Sequence, residues 1–485
     1  MNASGARTPA LALLALVSGC ALNPATGERN FTAFMTLEDE LRIRDQEHPK
    51  ILARFGGAYD DPKLTAYVAE LGMALAAKSE MPDLDFGFTI LNTPVVNAFA
   101  LPGGYIYVSR GLLALANSEA ELAGVLAHEI GHVTARHAAR RYSRHVLANF
   151  GAELLDLVTI GGMAEAARAE ADAYIQGYTR DQEFEADSLG LRYLRAAGYD
   201  AGAVPRFLNN LAAYRALEAK LGGRPDAADR PLDVMASHPG TTERLQEVTA
   251  VETPAPGGEP RLGRARYLEH IDGLLFSDDP AQGFVRGTTF VHPGLGFRFE
   301  VPDGFHLMNG AHRVLARGPE DTLILFDVSK GRFRGPAQRY LAERWAAGMT
   351  LIDVETISVN GMETATGWNR VDTDHGRRDV RLVAIQFDPG TFYRFMFFTT
   401  PEATQPMAEV LRTITYSFRR LRPEERGHFK PLRVHVVSAG DGDTKASLAA
   451  RMPFESLRAE RFAVLNGLAP DVAIGAGDRL KIISE

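Results

Sequence analysis

Residues 118–137 read SEAELAGVLAHEIGHVTARH. Leu122, Val125, Leu126, Ile130 and Val133 recur at helical spacing, so the stretch reads as a helix with one buried face. Ser118, followed three residues later by Glu121, has the form of a capping box at its start. Four residues separate His128 from His132, which stacks the two imidazoles one turn apart on one face, with Glu129 about 100° round from His128. That is the geometry of two metal nitrogens beside a carboxylate. Zinc fits best, because two neutral imidazoles and one further carboxylate oxygen leave a fourth position open for a water to be activated. Glu129 is placed to take that water's proton.

The third ligand must come from another segment. Residues 178–190, YTRDQEFEADSLG, again read as helix, with Glu183 and Asp187 one turn apart. Glu183 suits the ligand position, and Asp187 suits a place behind it, accepting the second ring N–H of one histidine and so fixing its tautomer. Without HEIGH upstream, the same two acids would read as a solvated helix face.

HEIGH at 128–132 and ExxAD at Glu183, Ala186 and Asp187 are preceded by NAFALPGGYIYVSRGLL at 97–113 and followed by SHPGTTER at 237–244. Together these ordered motifs resemble the gluzincin endopeptidases of the HtpX, CAAX-prenyl protease and BepA-like kind, over about residues 30 to 250. The resemblance implies a mainly helical zincin domain with one zinc per chain. It also implies that Glu183, and not the nearby Glu185, is the third ligand, with Asp187 supporting a ligand. His238, in Ser237-His238-Pro239, is either a loop histidine or, by resemblance, a fourth ligand able to close the open position. Tyr178, Arg180, His238 and Arg244 are candidates for stabilising charge on the scissile carbonyl, with His238 and Arg244 favoured by the resemblance alone.

Residues 1–20 carry one basic residue, Arg7, then an apolar run from Ala10 to Val17 and the sequence Val17-Ser18-Gly19-Cys20. The apolar core is short for a membrane span and ends in small residues, as a secretory signal does. VSGC resembles a bacterial lipobox, which implies lipidation of Cys20. Ala21 after it favours, by resemblance to sorting rules, the outer membrane over the inner. Cys20 is the single cysteine, which excludes an intramolecular disulfide.

A chain of 485 residues with 45% hydrophobic content can build full cores in about three domains. Its net charge of −8 and the lack of a Lys/Arg run argue against nucleic acid as a partner. Beyond the N-terminal segment no uninterrupted apolar stretch reaches the ~18 residues of a membrane helix, so attachment would depend on the lipid.

Residues 37–81 read as helical scaffold, and 84–91 and 104–108 as strands flanking Asn97, Ala98, Phe99 and Ala100. An edge strand at Asn97 to Phe99, beside the metal helix, could pair with an extended peptide substrate; a covered edge is the alternative. Residues 146–163 read as a helical hairpin over the site, able to act as a lid. Ala201 to Leu221 reads as one more helix.

The Pro- and Gly-rich residues 252–263 end the catalytic unit, giving a metallopeptidase domain over 21–251 and a connector over 252–287. Residues 288–421 change to strand texture, with FRFEV, TLILFDV, DVETISV, RDVRLVAIQF and FYRFMFF, and with helical patterns at 337–347 and 404–415. One antiparallel sheet with packed helices is expected, and the segment resembles the PsbP and Mog-like fold. His292, His306, His312 and His375 are scattered there and imply no chemistry. Residues 428–485 resemble a LysM module through Gly442-Asp443-Thr444, Leu448-Ala449, Leu465-Asn466 and Gly477 to Ile482, although Ala439 to Asp441 depart from its usual spacing. That resemblance implies a small strand-helix-helix-strand unit, with peptidoglycan or a docking surface as its partner.

The expectation is an α+β multidomain zinc metalloendopeptidase, lipid-anchored and facing the periplasm, that cuts unfolded or misassembled envelope proteins. Two alternatives are an envelope chaperone or anchor with a capped zinc site, and a peptidoglycan peptide hydrolase.

Overall fold

The computed structural model describes residues 20–22, 24–25, 27, 29–32, 35–143, 178–222, 259–329, 331–373, 376–469 and 471–485. The signal segment before Cys20, the expected hairpin at 146–163, His238, Arg244 and His375 lie outside the described residues. Cys20 opens a short strand, Cys20–Leu22, paired with Arg29–Phe31.

The chain divides into two compact units. The first joins Met1–Ala53, Gly57–Phe276 and Arg433–Ser484; the second is built mainly from Ser277–Leu432.

In the first unit, helix α1 (Leu37–Arg54) is capped by Thr36, whose hydroxyl accepts from Asp39 N–H while Asp39 accepts from Thr36 N–H. Helix α2 (Pro62–Ala76) starts at Asp61, which accepts from Leu64 N–H, with a proline in the first turn where no donor is needed. Strands β1 (Gly87–Leu91), β2 (Ala98–Ala100) and β3 (Tyr105–Ser109) form a sheet in the order β1, β3, β2, with β1 parallel and β2 antiparallel to β3. Ser109 ends β3 and caps helix α3 (Arg110–Leu115). Helix α4 (Glu119–Thr134) follows at once. Its cap is Ser118, which accepts from Glu121 N–H, but the Glu121 carboxylate returns to Asn117 N–H rather than to Ser118.

Helix α5 (Arg180–Ala196) opens with a full capping box between Thr179 and Gln182 and packs along α4. Helices α6 (Ala203–Leu221) and α7 (Arg264–Ile271) complete the helical layer around α4, whose apolar residues Leu122, Leu126 and Ile130 are fully buried. After α7, strand β4 (Leu275–Phe276) takes up β5 (Leu432–Ser438) and β6 (Arg479–Ser484) in a sheet ordered β6, β5, β4. Helices α8 (Lys445–Ala450) and α9 (Arg458–Asn466) lie between β5 and β6 in sequence. The C-terminal segment, read from sequence as a separate module, falls within the same compact unit as α4.

The second unit holds a seven-stranded antiparallel sheet. Period-two alternation sends Val383, Ile385, Phe395 and Phe397 to one face, under helix Pro401–Ser417, and Leu382, Ala384 and Phe392 to the other, under Ala337–Tyr340. A four-stranded sheet, Phe284–Arg286, Thr289–His292, Phe297–Glu300 and Arg419–Arg420, adds Phe290, Phe297 and Phe299 to the first core. The expectation of one sheet therefore becomes two. Among the described residues no helix is long and apolar enough to cross a membrane.

Candidate metal centre

Helices α4 and α5 approach closely because glycine stands at the crossing on both. A Cβ on Gly131 would lie 2.9 Å from the Ala186 carbonyl, and one on Gly190 would lie 2.9 Å from the His128 backbone nitrogen. Any side chain at either point would push the helices apart. The approach brings Glu183 of α5 under both histidines of α4. His128 Nε2 and His132 Nε2 are 3.0 Å apart, Glu183 Oε2 lies 3.5 Å from the first and Glu183 Oε1 3.6 Å from the second.

Among the described residues His128, His132 and Glu183 are the one group of three side chains placed to share a metal ion, with ligand atoms all within 4.8 Å of one another. Two imidazole nitrogens and one carboxylate oxygen match zinc chemistry. Glu183 is fully buried, and Glu129, one position beyond His128, is 2% exposed. Buried carboxylates beside the two imidazoles favour a cation between them.

Each histidine has its own support. Asp187 Oδ1 lies 2.8 Å from His128 Nδ1. Burial alone would lower the His128 imidazole, but the Asp187 and Glu183 carboxylates outweigh it and raise the group to about 10. His132 turns its Nδ1 to another imidazole, His137, at 2.8 Å. His137 Nε2 is 3.1 Å from Glu185 Oε2, and Arg140 Nη1 donates to the same oxygen at 2.6 Å. Glu185 is therefore turned to this outer chain, away from the ligand group. Burial would raise its carboxyl, but the hydrogen bonds from His137 and Arg140 prevail and hold it at about 2.

His137 is the site residue that the sequence analysis missed. It lies five positions past His132, off the helical face, and comes back only because the chain turns after Thr134. Arg136 makes that turn with φ +53°, in the left-handed region. Its guanidinium is held by the Glu40 carboxylate at 2.7 Å and the Met35 carbonyl at 2.9 Å. A third histidine within ten residues was the available signal.

Of the carbonyl-stabilising candidates, Tyr178 stacks on the His132 ring at 3.9 Å between centroids and 17° between planes. Burial raises its phenol, so it stays protonated. Arg180 is exposed and sits over the Phe184 ring. Asn97, Ala98 and Phe99 lie at the edge of the three-stranded sheet with side chains buried, Phe99 stacked on Tyr107. Ser109 N–H donates to the Asn97 carbonyl and Leu101 N–H to the Tyr105 carbonyl. The alternate residues Ala98 and Ala100 therefore turn their backbone groups to the side of β2 away from β3. A small cavity beside His132 and Tyr178 is bounded by Ala100, Leu101 and Pro102 and by the Glu40–Arg136 ion pair.

Buried ligands on two helices, an adjacent buried carboxylate and a neighbouring edge strand make a metallopeptidase arrangement. Residues 62–252 match Peptidase family M48. The match covers α2 through α6 and so contains His128, His132 and Glu183. The chain is similar to a beta-barrel assembly-enhancing protease of Yersinia pestis, 34% identical over 44% of this chain and 44% of that protein. A beta-barrel assembly-enhancing protease of Escherichia coli is 30% identical over 39% of each chain. The mitochondrial metalloendopeptidase OMA1 of Arabidopsis thaliana is 34% identical over 35% of this chain and 32% of that protein. The segment that carries His128, His132 and Glu183 is thus similar to proteins named as proteases and metalloendopeptidases. The chain spans about half the length, or less, of the beta-barrel assembly-enhancing proteases it matches. Among solved structures, the cyanobacterial PsbP of Synechocystis aligns with 28% of this chain and 98% of its own, at 16% identity and a TM-score of 0.22.

Proposed function

We propose that this chain is a zinc-dependent metalloendopeptidase of the bacterial envelope that hydrolyses internal peptide bonds of unfolded or misassembled envelope proteins. The observation that carries the reading is the convergence of His128, His132 and Glu183, with Glu129 buried on the same helix. One zinc ion held by the three ligands would polarise the scissile carbonyl and the attacking water. Glu129 accepts the proton of that water and delivers it to the leaving amine. Asp187 holds His128 in the tautomer that presents Nε2. The outward backbone groups of Ala98 and Ala100 take an extended substrate strand, which recognises main chain over side chain and suits unfolded clients.

The envelope location draws support from relatives named beta-barrel assembly-enhancing proteases and from the VSGC sequence. A lipid on Cys20 as anchor, peptidoglycan contact by residues 428–485, and His238 as a latch over the site, with Arg244 beside it in sequence, complete the proposal.

The test is zinc content together with cleavage of unfolded casein by wild type and Glu129→Gln. Equal, stoichiometric zinc is expected, with turnover lower in the variant by about 10² to 10⁴. A zinc-free wild type, or a variant that cleaves like it, would overturn the reading.

A further inference from the structure

His132 differs from His128 in what stands behind it. The partner of His128 is a carboxylate, whereas His132 Nδ1 faces His137 Nδ1 at 2.8 Å, a contact that holds one proton between two ring nitrogens. His132 directs Nε2 toward His128 Nε2 and Glu183, so its own proton belongs on Nδ1. His137 must then accept at Nδ1 and carry its proton on Nε2, which points at Glu185 Oε2, 3.1 Å away. Arg140 Nη1 donates to that same oxygen and compensates its charge. Each link admits one proton arrangement, so the order His132, His137, Glu185, Arg140 is directional.

The placement has a conformational cost as well. Helix α4 ends at Thr134, and the left-handed turn at Arg136 folds the chain back under His132. A non-glycine residue in that region is held there by surrounding structure, here by Glu40 and the Met35 carbonyl. His137 and Ser143 beyond it are fully buried.

We propose that His137 is a positioning residue of the metal centre: as a neutral imidazole anchored by Glu185 and Arg140, it fixes the tautomer and ring orientation of His132 so that Nε2 is presented to the ion. The inference rests on His128, His132 and Glu183 being a zinc site. It assigns Glu185, which is no ligand, a role at the far end of the same hydrogen-bond chain. It also gives the two histidine ligands unequal support, one from an anion and one from a neutral ring.

The test uses the full chain and compares His137→Phe, which keeps the ring and its packing but cannot accept a proton, with His137→Asn, which loses packing but offers an acceptor near the Nδ1 position. Zinc dissociation constants by chelator competition and the visible spectrum of the cobalt(II)-loaded protein are the readouts, with His132→Ala as the control that removes a ligand. His137→Phe should weaken zinc by about 10- to 100-fold and alter the cobalt spectrum, and His137→Asn should recover most of both. A merely structural role reverses that order. Zinc binding by His137→Phe equal to wild type, or worse binding by Asn than by Phe, overturns the inference while leaving the metal centre intact. Failure of wild type to bind zinc overturns the metal centre and the inference together. If His137→Phe does not fold, Glu185→Gln carries the test: weaker zinc is expected, and an unchanged constant overturns the role assigned to this chain.

Discussion

Lys481 Nζ donates to the Ala116 carbonyl at 2.7 Å, two residues before the Ser118 that caps the helix of His128 and His132. It also donates to the Ala114 carbonyl at 2.7 Å, so a fully buried lysine from β6 occupies the orphan carbonyls at the end of α3. Arg264 of α7 closes the same corner by donating to the Asn117 carbonyl at 2.9 Å. The entry to α4 is therefore held by one residue from the far end of the chain, Lys481, and one from its middle, Arg264.

Replacing Lys481 by Met should destabilise the first unit, because the apolar side chain leaves the Ala114 and Ala116 carbonyls buried without a donor. Each such group costs about 1–3 kcal/mol. Urea unfolding of wild type and Lys481→Met should show the loss in the midpoint. An equal midpoint would mean that the C-terminal strand does not brace the active-site helix.

Glu183→Ala and Asp187→Ala should differ in kind. The first removes a ligand oxygen and should empty the site. The second leaves three donors but frees His128 to rotate, which weakens zinc by about 10- to 100-fold. Chelator competition separates the two, and an emptied site in Glu185→Ala with zinc retained in Glu183→Ala would assign the third ligand to the other acid.

Gly190→Ala adds one methyl group where two helices touch. The Cβ would meet the His128 backbone nitrogen at 2.9 Å, and backbone cannot swing aside as a side-chain tip can. Overpacking of this kind costs about 1–3 kcal/mol. The lower melting temperature should come with weaker zinc binding, since any parting of α4 and α5 moves Glu183 from the histidines. Unchanged zinc affinity would show that the helices can relax without moving the ligands.

Glu185 makes the acid side of stability testable. Its carboxyl is held at about 2 against an ordinary 4.5. A depressed carboxyl contributes stability above its unfolded value and loses it as pH falls through the folded one. The advantage of wild type over Glu185→Gln should therefore be full above about pH 4.5 and fade toward about pH 2. Unfolding midpoints measured in chelator, so that zinc loss does not contribute, check this; a gap constant across that window would contradict it.

Helical periodicity acts within one segment, and that is why the core of the site was legible. The four-residue step from His128 to His132 stacks two imidazoles whatever surrounds them, and Ser118 signals the helix start within its own neighbourhood. In the second unit the alternating strands near 323–328, 378–387 and 392–398 were legible for the same reason. Met362–Thr373 was not, because Ala365 and Thr364 are buried on opposite faces of a doubly covered sheet, so no apolar alternation marks the strand.

The sequence by itself determined the pair of histidines, the adjacent Glu129 and the two acids on a second helix, since each depends on spacing along one element. Tertiary structure supplies the physical reason that Glu183, the acid the family resemblance already favours over Glu185, faces the histidines: the two acids point to different sides of α5, and the glycine-permitted crossing with α4 brings Glu183 to them. It also decided that His137, off the helical face, returns beneath His132, and that Lys481, 365 residues from Ala116, braces the helix entry. Contacts of that separation depend on how packed elements meet, which spacing within a single element cannot encode.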